Sequence, residues 1–390
     1  MRVCYAVLHY DERVAERDVT AYLRQVPIHR ALPREMAALG HDVHVVHLYP
    51  TNAYHVEGGV THHFVASGSM ARGVARMAGR VRRREAAVYE PAVHAIETLR
   101  ALRPDIVHVH GIDLNLNLFL LNFALGRRRP PPVILHSHGG YPAASRVGRA
   151  VQRANFRRAA RLLFTTHAHA EPFINAGVLD GDERVVEVME TSSDFAPMPH
   201  AGARRRTGMV GKPVFLWAGR LDPIKDPLTA LQGFERILAA WPHAELYLHY
   251  RTDELLPRLG AFCAARPRLA QHVHFCGAAP YERMPDIYSS ADFLLQASRR
   301  EFSGCAVLEA MACGVIPVVT DIPSFRAMTD NGCYGVLFPP GCPDALAEAV
   351  QRILLADLPA RSAAVLQHFE TALSFPALAR RLVGVYESVA

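Results

Sequence analysis

The stretch Arg299–Thr320 reads Arg-Arg-Glu-Phe-Ser-Gly-Cys-Ala-Val-Leu-Glu-Ala-Met-Ala-Cys-Gly-Val-Ile-Pro-Val-Val-Thr, with carboxylates at Glu301 and Glu309 on either side of Gly304. A glycine here lets the backbone approach a ligand closely and open a helix. The first N–H groups of such a helix are unpaired and partly positive, which suits a phosphate. Glu309 could then accept a hydrogen bond from a ribose hydroxyl. Read alone, Glu301 fits a solvated loop charge equally well. Glu309, between the apolar Val307, Leu308, Ala310 and Met311, fits a buried acid paired for structural reasons. A second stretch, Trp217–Pro227, is Trp-Ala-Gly-Arg-Leu-Asp-Pro-Ile-Lys-Asp-Pro. Arg220 offers a planar fork and Lys225 a point charge, a pair suited to a diphosphate. The plainer reading of both is exposed surface cations, but their position at a strand end beside Gly219 favours function.

These residues need a scaffold of strands ending in loops. Short apolar runs alternate with helical patterns throughout the chain: Val3–Leu8, Asp42–Leu48, Ile106–Val109, Val133–Leu135, Leu162–Phe164 and Val185–Val188 come first. Val214–Trp217, Glu245–Leu248, Val273–Phe275, Phe293–Leu295, Ile316–Val319 and Val336–Phe338 follow. Continuous apolar strands separated by helices predict parallel sheets covered on both faces, the doubly wound α/β architecture. Helices are expected at Arg34–Ala38, Glu85–Leu102 and, last, about Pro376–Val389, among others. Residues 190–212 lack a period and carry Ser, Pro and charge, so a domain boundary is placed there. Ligands in such folds sit beyond the carboxyl ends of the strands.

Gly219-Arg220-Leu221 with Lys225, then Glu301 and Glu309, then Ala312-Cys313-Gly314 with Pro317-Val318, resembles the retaining glycosyltransferases of family 4. The resemblance implies the GT-B fold: two Rossmann-like doubly wound domains facing across a cleft. Residues 1–192 would form the acceptor-side domain, 193–372 the nucleotide-sugar donor domain, and 373–390, with Phe375 and Tyr386, a helix crossing back to the first. It also implies roles. Arg220 and Lys225 would clamp the donor diphosphate, Glu301 would lie near the donor sugar with Phe302, Ser303 and Gly304 lining its approach, and Glu309 would hold the ribose. Where the family has Gly-Phe-Gly, this chain has Phe302-Ser303-Gly304. In the first half, Pro104–Gly111 and Leu135–Gly140 look like the family's strands ending in His-Gly loops, and His138 takes the role of the histidine facing the sugar. The H-x-H pairs raise zinc as an alternative, but no ligand set with zincin spacing is present. The expected site therefore holds no metal and no cofactor beyond the nucleotide-diphosphate-sugar donor. The N-terminal loop of about 9–30 lacks the family's glycine pair and is expected to help form the acceptor site.

The chain has 390 residues, half of them hydrophobic, and a formal net charge of +6. That balance suits an anionic partner, with nucleic acid, lipid surface and phosphorylated small molecule all compatible; the resemblance selects a nucleotide sugar and a hydroxyl acceptor rather than nucleic acid. The seven cysteines show no C-x-x-C pairing and read as reduced, mostly buried thiols of a cytoplasmic protein. The first apolar run reads as a core strand, not a signal peptide, and no run is long enough to span a membrane. Arg72, Arg76, Arg80 and Arg84 could form a cationic helix face on the inner membrane surface. A solvated basic face is preferred, because the apolar side is thin.

The chemistry expected is glycosyl transfer with retention, to a glycan, lipid or small natural product. Glu301 and Glu309 do not read as a glycosidase pair, since Glu309 belongs to the ribose. The alternatives are an epimerase- or phosphorylase-like enzyme on the same fold, and a non-catalytic sugar- or nucleotide-binding module.

Overall fold

A computed structural model describes residues 1–11, 18–66, 87–88, 90–126 and 130–390. The Arg72–Arg84 segment lies outside the described residues. The chain divides into two compact units, Met1–Thr191 with Phe375–Ala390, and Ser192–Ser374.

The first unit contains β1 (Arg2–Val7), β2 (Tyr10–Asp11), β3 (Asp42–Tyr49), β4 (Ala53–Glu57), β5 (Val60–Ala66), β6 (Ala87–Val88), β7 (Ile106–His110), β8 (Val133–His136), β9 (Arg161–Phe164) and β10 (Val185–Glu187). Eight of these form one sheet in the order β10-β9-β8-β7-β1-β3-β5-β4. β1 is parallel to both β3 and β7, with Val3 opposite Val43 and Ile106. Its side chains from Val3 onward are buried whichever face they point to, as expected of a central parallel strand. From β1 the chain winds outward through β3, then returns to β7 on the other side, so the topological switch point lies between β1 and β7.

The second unit contains β11 (Val214–Gly219), β12 (Glu245–Tyr250), β13 (Val273–Gly277), β14 (Phe293–Gln296), β15 (Ile316–Thr320) and β16 (Val336–Phe338). They form a six-stranded sheet in the order β13-β12-β11-β14-β15-β16, and all its pairs are parallel. Its switch point lies between β11 and β14, where Phe215 pairs with Phe293. The loops leaving these two strands are therefore neighbours, although their sequences are far apart.

Several expectations need correction. The hairpin β4–β5 was not anticipated. Its turn is Gly58-Gly59, with φ of 56° and 78°, the positive values that a two-residue type I′ turn demands. The helix expected from Arg34 begins at Pro27. Pro33 sits inside this helix among buried Ile28, Leu32 and Met36. Helix Val19–Gln25, capped by Asp18, also occupies the region read as one long loop of about 9–30. Of the helix expected over Glu85–Leu102, the described residues carry Val93–Ala101, just after Pro91, while Ala87–Val88 pairs with Tyr10–Asp11. The stretch 190–212 carries a helix, His200–Thr207. Arg204 anchors it by bonds to the carbonyls of Ser290 and Gly211 and to Asp292, each at 3.0 Å. Only Cys4, Cys263 and Cys313 are buried; Cys276, Cys305, Cys333 and Cys342 are exposed, and none of the seven forms a disulfide. Among the described residues, no helix is long and apolar enough to cross a membrane.

Candidate functional site

Seven of the residues singled out from sequence fall in the second unit, around its switch point. After β11 the chain turns on Asp222. Its Oδ1 accepts the N–H groups of Ile224 and Lys225, both at 3.0 Å, and its Oδ2 lies 2.9 Å from Arg220 Nε. One carboxylate thus fixes both the loop and the guanidinium. Arg220 remains 58% exposed at its side chain and free to meet an anion with its other nitrogens. Lys225 and Glu301 are brought into contact, Nζ to Oε1 at 2.5 Å, with both side chains mostly buried. Arg299 joins the same two loops: its N–H donates to the Ile224 carbonyl at 2.8 Å and its guanidinium pairs with Asp226 at 2.8 Å. The Ser324 hydroxyl donates to the carbonyl of Glu301 at 2.5 Å.

Phe302 and Ser303 continue that loop to Gly304, which has φ 62° and precedes helix Cys305–Ala312. A Cβ at Gly304 would come 2.6 Å from Phe325 Cε1, so backbone angle and packing both require glycine there. No side chain caps this helix. Glu309 projects from it and accepts the Tyr288 hydroxyl at 2.6 Å. Burial pushes the Glu309 carboxyl up to about 7, with the Tyr288 hydrogen bond and the charge of Arg251 pulling the other way. Near neutral pH it is therefore poised between its two states.

His138 belongs to the first unit, just beyond the end of β8. His110 ends β7 and lies in register with His136, which ends β8. His138 Nε2 is 2.7 Å from His110 Nδ1, and His136 Nδ1 is 3.2 Å from His108 Nε2. His108 Nδ1 in turn meets the Tyr386 hydroxyl at 2.5 Å, and Tyr386 donates to the Tyr5 hydroxyl at 3.3 Å. Burial is the main cause that holds these four imidazoles well below their ordinary pKa, to about 4 for His136. They are neutral at physiological pH.

Sequence reasoning missed Asp222, Asp226, Arg299, Ser324 and Tyr288. Asp222 carried a signal, since Asp-Pro followed by backbone donors is turn chemistry. Tyr288 and Ser324 carried none, because their partners are brought close only by the fold.

The family model described as "Glycosyl transferases group 1" matches residues 212–356, and that described as "Glycosyl transferase 4-like domain" matches residues 28–188. A similar relative is the GDP-mannose:cellobiosyl-diphosphopolyprenol alpha-mannosyltransferase of Xanthomonas campestris, 26% identical over 70% of this chain and 72% of its own. Another is the 2-deoxystreptamine N-acetyl-D-glucosaminyltransferase of Streptomyces fradiae, 27% identical over 64% of this chain and 62% of its own. Among solved structures, sucrose-phosphate synthase from Thermosynechococcus elongatus aligns over 100% of this chain and 98% of its own, with TM-score 0.68 and 19% identity. An Anabaena protein solved with UDP and glucose aligns over 100% of both chains, with TM-score 0.66 and 14% identity. With both halves matched and the fold shared, the chain belongs to the family 4 type of glycosyltransferases, built on the GT-B fold.

Proposed function

We propose that this glycosyltransferase takes its sugar from a nucleoside-diphosphate sugar and transfers it, with retention at the anomeric carbon, to a hydroxyl of a glycan, lipid or small natural product. The observation that carries the reading is the joined pair of loops at the β11/β14 switch point, where Lys225 and Glu301 meet beside the uncapped helix start at Gly304. In this reading the nucleotide lies along the second unit. Glu309 accepts the ribose hydroxyls, while Arg220, Lys225 and the helix N–H groups meet the diphosphate. These cationic groups gain most as the bond from the anomeric carbon to the phosphate oxygen breaks and charge builds on the leaving group. The acceptor oxygen bonds to that carbon on the same face, and its proton passes to the departing phosphate oxygen. Glu301 orients the sugar. His138, held neutral, gives or accepts a hydrogen bond at a sugar hydroxyl without adding charge.

Two protein cations and a helix end supply the positive charge on the diphosphate, so we propose that transfer needs no metal and no cofactor. Seven cysteines without a disulfide suit a reducing compartment, and the cytoplasm is the proposed location. The test is incubation with a panel of nucleotide sugars, GDP-mannose included because a relative's name specifies it, together with mixed hydroxyl acceptors. Release of nucleoside diphosphate and a product whose anomeric configuration matches the donor's is the expected result. Inversion would refute retention, and nucleotide binding without release from any donor would point to a binding module. Activity is expected to survive EDTA; a loss restored by a divalent ion would refute the metal-free mechanism.

A further inference from the structure

Helix Asn115–Ala124, which follows β7, buries Leu118 and Leu121 against the first unit. Asn117 ties it down: its side-chain amide donates to the carbonyls of Leu8 and Glu90, both at 2.9 Å, and its oxygen accepts the Ala92 N–H at 3.0 Å. Leu116, Phe119 and Phe123, spaced i, i+3 and i+7, lie on the opposite side of the helix. They are 54%, 52% and 79% exposed. Single apolar side chains at a surface are ordinary, but three in one row on a firmly held helix mark an interaction site. Helix Arg146–Arg158 packs alongside. Its Asn155 donates to the Asn115 carbonyl at 3.0 Å and accepts the Asn122 amide at 3.3 Å, and Arg158 donates to the Asn122 carbonyl at 2.8 Å. An exposed guanidinium is thereby held next to the residue that precedes Phe123. Arg146, Arg153 and Arg157 are exposed on the same helix, as is Val147, and only Arg157 pairs with an acid, Asp180. Between Leu114 and Ala170 the chain carries nine arginines and no lysine, aspartate or glutamate.

We propose that the outer face of these two helices docks on an anionic lipid bilayer, with Leu116, Phe119 and Phe123 entering the headgroup boundary and the arginines meeting lipid phosphates. Apolar tips gain by leaving water for the acyl boundary, while guanidiniums on long stems stay at the level of the phosphates. The negative surface potential of such a leaflet attracts a basic segment that no acid offsets. Charge complementarity selects this occupant over the others. Two copies joined symmetrically through the face would set arginines against arginines, with no acid from either helix to pair them. A folded partner protein is met by donors and acceptors matched one to one. This face offers a single charge sign and hydrocarbon, which a layer of phosphates over acyl chains matches without any register. The two helices begin soon after His110 and His138, so the docked face adjoins the strand ends that carry the histidines. The inference rests on this surface alone and does not depend on the donor-site reading or on the choice of acceptor.

The full-length chain is sedimented with vesicles of phosphatidylcholine containing about 30 mol% phosphatidylglycerol, and with vesicles of phosphatidylcholine alone. Binding to the anionic vesicles that is at least about tenfold tighter than to the neutral ones, and that weakens with added salt, is the expected result. The double variant Phe119→Ser/Phe123→Ser should lose at least about tenfold in vesicle affinity with its Tm unchanged, since both rings are exposed. Leu355→Ser removes a side chain that is 84% exposed in the second unit and should bind as wild type. No preference for anionic vesicles, or equal binding by the double variant, overturns the proposal. So does a dimer in light scattering that the double variant abolishes while vesicles go unbound, which would give the face to a second copy. Should the double variant unfold, Phe123→Trp decides: a blue shift of its added fluorescence on anionic vesicles supports docking, and an unchanged spectrum overturns it.

Discussion

The two switch points of this molecule are built from opposite materials. At β11/β14 the loops are held by charge: Lys225 to Glu301, Arg299 to Asp226 and Arg220 to Asp222. Beside β1/β7 the strand ends carry a cluster of histidines and tyrosines, and burial keeps its imidazoles uncharged. A charged set can meet a diphosphate whose charge grows during reaction. A neutral set can hold a sugar hydroxyl without adding charge of its own. The comparison teaches that one architecture, used twice, leaves the choice of chemistry to the residues just past the strand ends.

The largest effect that would break this contrast belongs to Lys225. Lys225→Ala removes the cation and its contact with Glu301, so kcat is expected to fall by about 10²–10³; a change below tenfold would remove Lys225 from the charged site. His138→Asn tests the neutral side. Turnover should drop by about tenfold to a hundredfold, while the Kd for nucleoside diphosphate stays near wild type, and equal losses in both would place His138 elsewhere. Gly304→Ala forces a side chain into the left-handed region and onto Phe325, costing about 1–3 kcal/mol. Calorimetry should record a lower Tm, and titration a weaker nucleotide.

A pH experiment sharpens the comparison further. Glu309 has its pKa raised to about 7, so its neutral form is favoured in the folded protein and its contribution to stability declines as pH rises from the ordinary carboxylate range through about 7. A ribose hydroxyl prefers the ionised form. Nucleotide affinity should therefore rise by roughly tenfold between pH 6 and 8, and Glu309→Gln should flatten that profile. The smallest effect is expected at His44→Ala, which lies near the start of β3 and not at the strand ends that carry His110 and His138, and should leave turnover unchanged.

Much of the fold was legible because buried parallel strands are nearly continuous apolar runs, as at Val3–Val7 and Phe215–Ala218. The β4–β5 hairpin escaped since β5 is interrupted by His62 and His63, which hid its alternation despite the Gly58-Gly59 turn. Helix His200–Thr207 escaped because three arginines looked like a linker, whereas Arg204 and Arg206 find partners in Asp292 and Asp286. At the site, residues just past strand ends stood out: Arg220, Lys225, Glu301. What crosses between strands did not. Neither the Tyr288–Glu309 bond, between two helices, nor the meeting of His110 with His136, between two strands, leaves a trace in local spacing, since each depends on which elements become neighbours.

The last helix, Phe375–Glu387, buries Phe375, Leu378, Leu382 and Tyr386 and packs on helix Pro27–Ala38 in the first unit. The ribosome therefore delivers the two units on different schedules. The second unit is one uninterrupted segment and can close as soon as it has emerged. The first must wait, with Tyr5 and His108 lacking Tyr386, until helix Phe375–Glu387 has emerged. Vectorial synthesis makes the earlier-made unit the later to be completed, and a chain cut before Phe375 would leave helix Pro27–Ala38, near the N-terminus, without the helix that packs on it.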